Sequence, residues 1–126
     1  MEVIYIADVQ KTYAMVIGAV LVLLGLVGFI QAPVLGVFGV NIAQNVLHLV
    51  GGALGLWLAT KGSGKAFNQW LGYIALVVGV LGFVPVASDL LESIFAINAA
   101  ISGLHVAVGI VALAVAYGVK GQMASA

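Results

Sequence analysis

The chain has 126 residues, of which 64% are hydrophobic and only 6% charged, whereas soluble domains carry about 25% charged residues. Eight charged side chains are too few to cover the surface of a water-soluble fold of this size. Net charge is zero and cysteine is absent, which excludes disulfides, thiolate metal sites and thiol redox chemistry and leaves no basic patch for nucleic acid.

The composition therefore places the chain in a lipid bilayer, as a single domain over 1–126 with length for about four spans. Residues 1–10 carry Glu2 and Asp8 rather than a basic leader. They are expected to be part of the mature protein, as a short interfacial segment and not a cleavable signal peptide. Four apolar stretches follow, at 13–31, 42–60, 66–84 and 99–117. Each is about 19 residues long, close to the roughly 20 needed to cross a 30 Å hydrocarbon core.

Lys11, Lys61, Lys65 and Lys120 all fall on one side of such a four-span chain. The positive-inside rule then makes both termini and the 61–65 loop cytoplasmic, in the inner (cytoplasmic) membrane. Tyr13, Trp57, Trp70, Tyr73 and Tyr117 lie near those lysines, as an interfacial aromatic belt requires. On the other side, 32–40 (APVLGVFGV) is almost wholly apolar, and 85–97 contains Asp89-x-x-Glu92, a capping-box pattern for one or two helical turns. Apolar backbone of this kind is expected to fold over the outer end of the bundle or to meet another subunit.

The chain repeats itself. Gly18, Gly25, Gly28 and Phe29 recur 54 residues on as Gly72, Gly79, Gly82 and Phe83, and Phe38, Asn41, Leu47, His48 and Gly52 recur 57 residues on as Phe95, Asn98, Leu104, His105 and Gly109. The unit is a helical hairpin, about 12–60 and then 66–118, repeated in the same orientation. Such duplication implies a pseudo-two-fold axis along the membrane normal. The expected fold is all-α, an integral membrane four-helix bundle of two parallel-repeated hairpins.

Asn41, Asn45, His48, Gly52 and Gly55 share one helical face, matched by Asn98, Ser102, His105, Gly109 and Ala112. Asn41 and Asn98 stand where an N-cap is needed; the alternative is a pair of amides holding a ligand at the bundle mouth. His48 and His105 are expected at one depth, roughly 9–10 Å below the outer boundary from the helical rise. An imidazole inside a bilayer is expensive and points to a site. It is read either as glue, bonding Asn45, Ser102, a carbonyl or the other ring, or as an axial ligand pair for haem or chlorophyll with neighbouring glycines making room. A third reading is a proton or solute path, although no Asp, Glu, Lys or Arg lies inside a span.

The glycines form small-xxx-small faces for close helix approach: Gly51 with Gly55, Ala14 with Gly18, Ala75 with Gly79 and Ala99 with Gly103, together with Gly25, Gly52, Gly72 and Gly109. Gly62-Ser63-Gly64 is a turn and lacks phosphate-loop spacing. No nucleophile–base set, close carboxylate pair or complete metal ligand set is present in the sequence, so no catalysis is expected.

The duplicated Asn-x5-Leu-His pattern (Asn41 to Leu47-His48, Asn98 to Leu104-His105), with HLVGGALGL after His48 and GVLGFVP in the third stretch, resembles a bacterial family of small four-span integral membrane proteins labelled a domain of unknown function. The likeness covers most of the chain and is weaker after His105, where Val-Ala-Val-Gly follows. It implies a four-helix membrane fold and supplies no activity or ligand. The function expected is thus a non-enzymatic structural or accessory subunit in the bilayer, partnered by itself or by other membrane subunits and not by nucleic acid. The alternatives are a tetrapyrrole carrier through His48 and His105, or a small-solute pore.

Overall fold

The computed structural model describes residues 8–119. Their backbone forms five helices, α1 (Val9–Ile30), α2 (Ile42–Thr60), α3 (Gly64–Leu81), α4 (Ala87–Phe95) and α5 (Ala99–Gly118). The one other pairing among these residues is an isolated bridge between Val34 and Phe38. Most of the expected interfacial segment at 1–10, and Lys120, lie outside the described residues.

Helix boundaries follow local chemistry. α1 starts four residues ahead of the expected span because Asp8 caps it, its carboxylate accepting from the Lys11 amide at 3.0 Å. It stops ahead of Pro33, whose ring disfavours helical backbone before it. The Asn41 side chain caps α2 through the Gln44 amide at 3.0 Å, and Asn98 caps α5 through the Ile101 amide at 3.0 Å. Both asparagines thus serve as the N-caps expected of them. The turn between α2 and α3 uses Gly62 at φ +77, a conformation costly for other residues.

Two expectations need correction. The third stretch, placed at 66–84, forms a helix two residues earlier and ends at Leu81, since Pro85 disfavours a helical Val84. The capping box at Asp89 is not formed. α4 begins at Ala87, Asp89 lies within its first turn, and the cap position is Val86 at φ 71 with no side-chain cap. Three helices, α1, α2 and α5, are long and apolar enough to cross a membrane. α3 has 18 residues, and its first two turns carry Lys65, Asn68 and Gln69.

The intimate pairs are α1 with α2 and α3 with α5, and α1 also packs on α3. Each pair is an antiparallel hairpin closed by glycine. A Cβ built on Gly25 would meet the Asn45 carbonyl oxygen at 2.8 Å and the Leu49 amide at 3.1 Å; one on Gly79 would meet the Ser102 carbonyl at 2.9 Å and the Val106 amide at 2.6 Å. Gly18 and Gly52 face each other's helix, as Gly72 and Gly109 face Leu113 and Leu76. In lipid the hydrophobic effect does little to join helices, so this close backbone approach and interhelical hydrogen bonds hold them.

Gly51 and Gly103 take no part in helix packing within the chain. Neither has any atom within 4 Å of where a Cβ would stand. They are on the outward side of α2 and α5, about 100° around the helix from the inward-facing Gly52 and Ser102.

Between the hairpins, a small apolar core of Ala14, Ala59 and Phe67 gathers Ile17, Leu21, Leu58 and Leu71. Phe67 fills the space over Gly55. The outside is a nearly continuous apolar surface that includes Val16, Val20, Leu23, Val27 and Ile30 of α1, with Ile30 88% exposed. Water would not tolerate a surface of this kind on a monomer.

Candidate functional site: a polar seam between two hairpins

Three polar layers lie along the junction of the two hairpins. The outer one is built from amides at the starts of α2 and α5. Asn41 Nδ2 donates to the Ile94 carbonyl at 3.0 Å, and Gln44 Nε2 donates to the carbonyls of Phe95 (2.9 Å) and Gly39 (3.0 Å). Asn98 Nδ2 donates to the Val37 carbonyl at 2.9 Å, and its Oδ1 accepts from the Gly39 amide at 3.1 Å. Both connecting segments are thereby tied to α2 and α5. Val34, Gly39, Val40 and Ile97 are buried beneath them, as expected of apolar loops folded over the bundle end.

The inner layer sits at the end marked by Lys11, Lys61 and Lys65. Gln10 Nε2 donates to the carbonyls of Val115 and Val119 at 2.8 and 2.9 Å, at the last turn of α5. Asn68 Nδ2 donates to Gln10 Oε1 and to the Gln10 carbonyl, each at 3.1 Å. One chain of bonds therefore joins α3, α1 and α5. Gly64 permits it, because a Cβ there would meet the Gln10 carbonyl oxygen at 2.9 Å. Gln10, Gln44 and Asn68 were not anticipated as site residues. The available signal was an amide within one or two turns of a span end in an otherwise apolar run, a place where helix-end carbonyls need donors.

Between these layers lie the histidines. The rings of His48 and His105 approach edge to face, with centroids 6.2 Å apart and planes at 69°. Each Nδ1 is buried and without a hydrogen-bond partner among the described residues. The bonds expected from the rings to Asn45, to Ser102 or to each other are not formed, for a geometric reason. Asn45 and Ser102, three residues before each histidine, are turned about 60° away around the helix. They press against Gly28 of α1 and Gly82, just past the end of α3, instead. Asn45 is 1% and Ser102 0% exposed, and Asn45 Oδ1 and Ser102 Oγ are likewise unpartnered. Each such buried polar atom costs roughly 1–3 kcal/mol when it has no partner.

The two expected stripes thus separate into two functions. Asn45 and Ser102, with Gly18, Gly25, Gly52, Gly72, Gly79 and Gly109, line the contacts within each hairpin. Asn41, Asn98, His48 and His105 face the seam between hairpins. Of the glycines near the two histidines, Gly52 is filled by Gly18 and Val22 and Gly109 by Leu76, whereas Gly51 and Gly103 have open space at their Cβ positions.

Chemically the seam offers two nitrogen donors and a set of amides. Among the described residues no group of three or more His, Cys, Asp or Glu side chains could hold a metal ion. Elsewhere, an open apolar groove of about 300 Å³ runs along Val9, Thr12, Tyr13 and Val16 of α1. The Tyr73 and Tyr117 hydroxyls pair at 2.7 Å on the exposed side of α3 and α5.

No curated protein and no solved structure matches the chain. The model of one family, "Domain of unknown function (DUF4383)", matches residues 11–118. The chain belongs to that family.

Proposed function

We propose that this member of the family is a non-catalytic, multi-pass subunit of the bacterial cytoplasmic membrane that works by packing against further membrane helices, its own copies or another protein's. α3 is taken to cross the bilayer together with α1, α2 and α5, as two duplicated hairpins with both termini and the 61–65 loop on the cytoplasmic side. The matching glycine contacts of the two hairpins and the lysines gathered at one end support that arrangement.

The observation that carries the proposal is the outward face of α5. Ala99, Gly103 and Ala107, one turn apart, are exposed on its first half, with Ile110, Ala114 and Tyr117 continuing the same face, and Gly103 has no neighbour within 4 Å of a Cβ position. The outward face of α1 bears Val16, Val20, Leu23, Val27 and Ile30 at comparable turns. Bulky aliphatic side chains suit contact with lipid, whereas small residues one turn apart let a second helix approach closely.

Because the chain has no cysteine, Ala107→Cys introduces a unique crosslinking handle on that face. Oxidation in native membranes should give a product of at least twice the monomer mass, and the gently solubilised protein should migrate as more than a monomer. A lone monomer in mild detergent, with no crosslinked species from membranes, would remove the support.

A further inference from the structure

We propose that α4 lies flat in the bilayer interface at the outer end of the bundle, with Leu90 and Ile94 inserted among lipid acyl chains and Asp89 and Glu92 turned to water. This goes beyond the packing role of α5. It requires the bilayer but no partner helix, so loss of the crosslink through Ala107 would leave it standing. At about 100° per residue, the nine residues of α4 divide into three sectors. Ala87, Leu91 and Phe95 are partly buried, on the side that meets the rest of the protein. Leu90 and Ile94, one turn apart, are 57% and 55% exposed on a second side. Asp89 and Glu92 are exposed on a third, centred about 150° around the helix from Leu90 and Ile94. Ser93 stands between the two exposed flanks, its hydroxyl already donating to the Leu90 carbonyl at 3.0 Å.

The level of the helix is fixed by its ends. Only 82–86 separate it from α3 and only 96–98 from α5. Asn41 Nδ2 and Gln44 Nε2 hold the carbonyls of Ile94 and Phe95 at 3.0 and 2.9 Å against the start of α2. α4 therefore sits where the long helices begin and end, and at that level only the interface suits both exposed flanks. Raised into water, Leu90 and Ile94 would stay hydrated, which the hydrophobic effect opposes. Sunk wholly among acyl chains, Asp89 and Glu92 would be charges in hydrocarbon, a far costlier placement. The apolar flank also continues a lipid-facing surface, because Phe83 and Val84 (59% and 42% exposed) lead to it from the exposed Val77 and Val80 of α3. α4 carries no Lys or Arg, so apolar burial supplies the contact, and not attraction to anionic headgroups.

The cysteine-free chain accepts a single nitroxide through Leu90→Cys, Ile94→Cys, Asp89→Cys or Glu92→Cys. Each labelled full chain is reconstituted into phosphatidylcholine vesicles. Collision with oxygen, which concentrates among acyl chains, is compared with collision with a water-soluble Ni(II) chelate present on both sides of the membrane. Labels at 90 and 94 should favour oxygen several-fold and sit about 5–10 Å into the headgroup–acyl boundary. Labels at 89 and 92 should favour the chelate, and added salt should change neither result. The proposal is overturned if 90 and 94 meet the chelate as readily as 89 and 92, which puts the helix in water, or if 89 and 92 favour oxygen as well. It is equally overturned if neither reagent reaches 90 and 94, which means that a second copy covers them. Where a label disturbs folding, the wild-type chain decides. A phospholipid carrying a carbene-generating aryl diazirine in its acyl chain should tag Leu90 or Ile94 on illumination, and the absence of any tag within α4 overturns the proposal.

Discussion

Gly28 in α1 and Asn45 in α2 lie so close that a Cβ on the glycine would fall onto the Asn45 carboxamide, and Gly82, the residue that caps the end of α3, stands in the same relation to the Ser102 hydroxyl in α5. The separation of each helix pair at its outer end is thus set by one missing methyl group opposite one buried polar side chain. Neither Asn45 nor Ser102 has room to withdraw, since both are almost completely buried.

It follows that Gly82→Ala should destabilise the protein by about 1–3 kcal/mol, the usual cost of overpacking a tight contact. Ser102→Ala removes the atom most in conflict and leaves no buried hydroxyl to satisfy, so the double substitution should recover a substantial part of that loss. Unfolding of the micelle-solubilised variants, followed by helical circular dichroism, gives both values. Equal losses with and without Ser102→Ala would show that the contact is not what limits this site.

Much of this was legible in the sequence because the bilayer constrains it so strongly. Helices α2 and α5, the caps Asn41 and Asn98 and the inward glycines all follow from apolar run length, cap chemistry and small-residue spacing. The partition of the polar stripe was not legible. Asn45 and His48 sit three residues apart on what the spacing presents as one face, yet one looks at α1 and the other at the opposite hairpin. Only the rotation of α2 against two different neighbours decides that. Gly51 and Gly52 pose the same difficulty: adjacent glycines in one motif, with the first facing outward and the second sealed against Gly18. The start of α4 is not legible because Asp89-x-x-Glu92 fits a cap pattern, whereas the helix begins two residues earlier at Ala87, after Val86 at φ 71.

The inner amide chain should matter more to stability than its size suggests. Asn68→Ala would leave Gln10 Oε1 buried without its donor, at a cost of roughly 1–3 kcal/mol. Gln10→Leu removes the donor to Val115 and Val119 and should chiefly loosen the end of α5. Amide exchange measured residue by residue ought then to rise in the last turn of α5 before it rises in α2. Uniform acceleration across all the helices would instead mean that the layer acts only through global stability.

Outward and inward glycines should respond oppositely to the same substitution. Gly103→Leu places its side chain where nothing stands within 4 Å. The folded monomer should therefore keep its stability to within about 0.5 kcal/mol, while the crosslinked and higher-mass species through α5 disappear. Gly52→Leu must displace backbone of α1 at Gly18 and Val22 and should prevent the hairpin from closing. A Gly103→Leu variant that still assembles would move the packing face elsewhere.

The left-handed residues flanking α4 give a prediction of opposite sign. Ala96 ends that helix at φ 57, ψ 29, with its amide donating to the Glu92 carbonyl at 2.8 Å. This is the αL termination that usually carries glycine. A Cβ in that conformation costs about 1–2 kcal/mol, and glycine returns part of the relief through a more flexible unfolded chain. Ala96→Gly should therefore raise stability by about 0.5–1 kcal/mol. Val86, β-branched and at φ 71, should gain at least as much when changed to glycine, because it is exposed and gives up little packing. Thermal unfolding of the two variants in the same detergent measures both effects. A fall in midpoint for Ala96→Gly would mean that its methyl group contributes contacts larger than the strain it imposes.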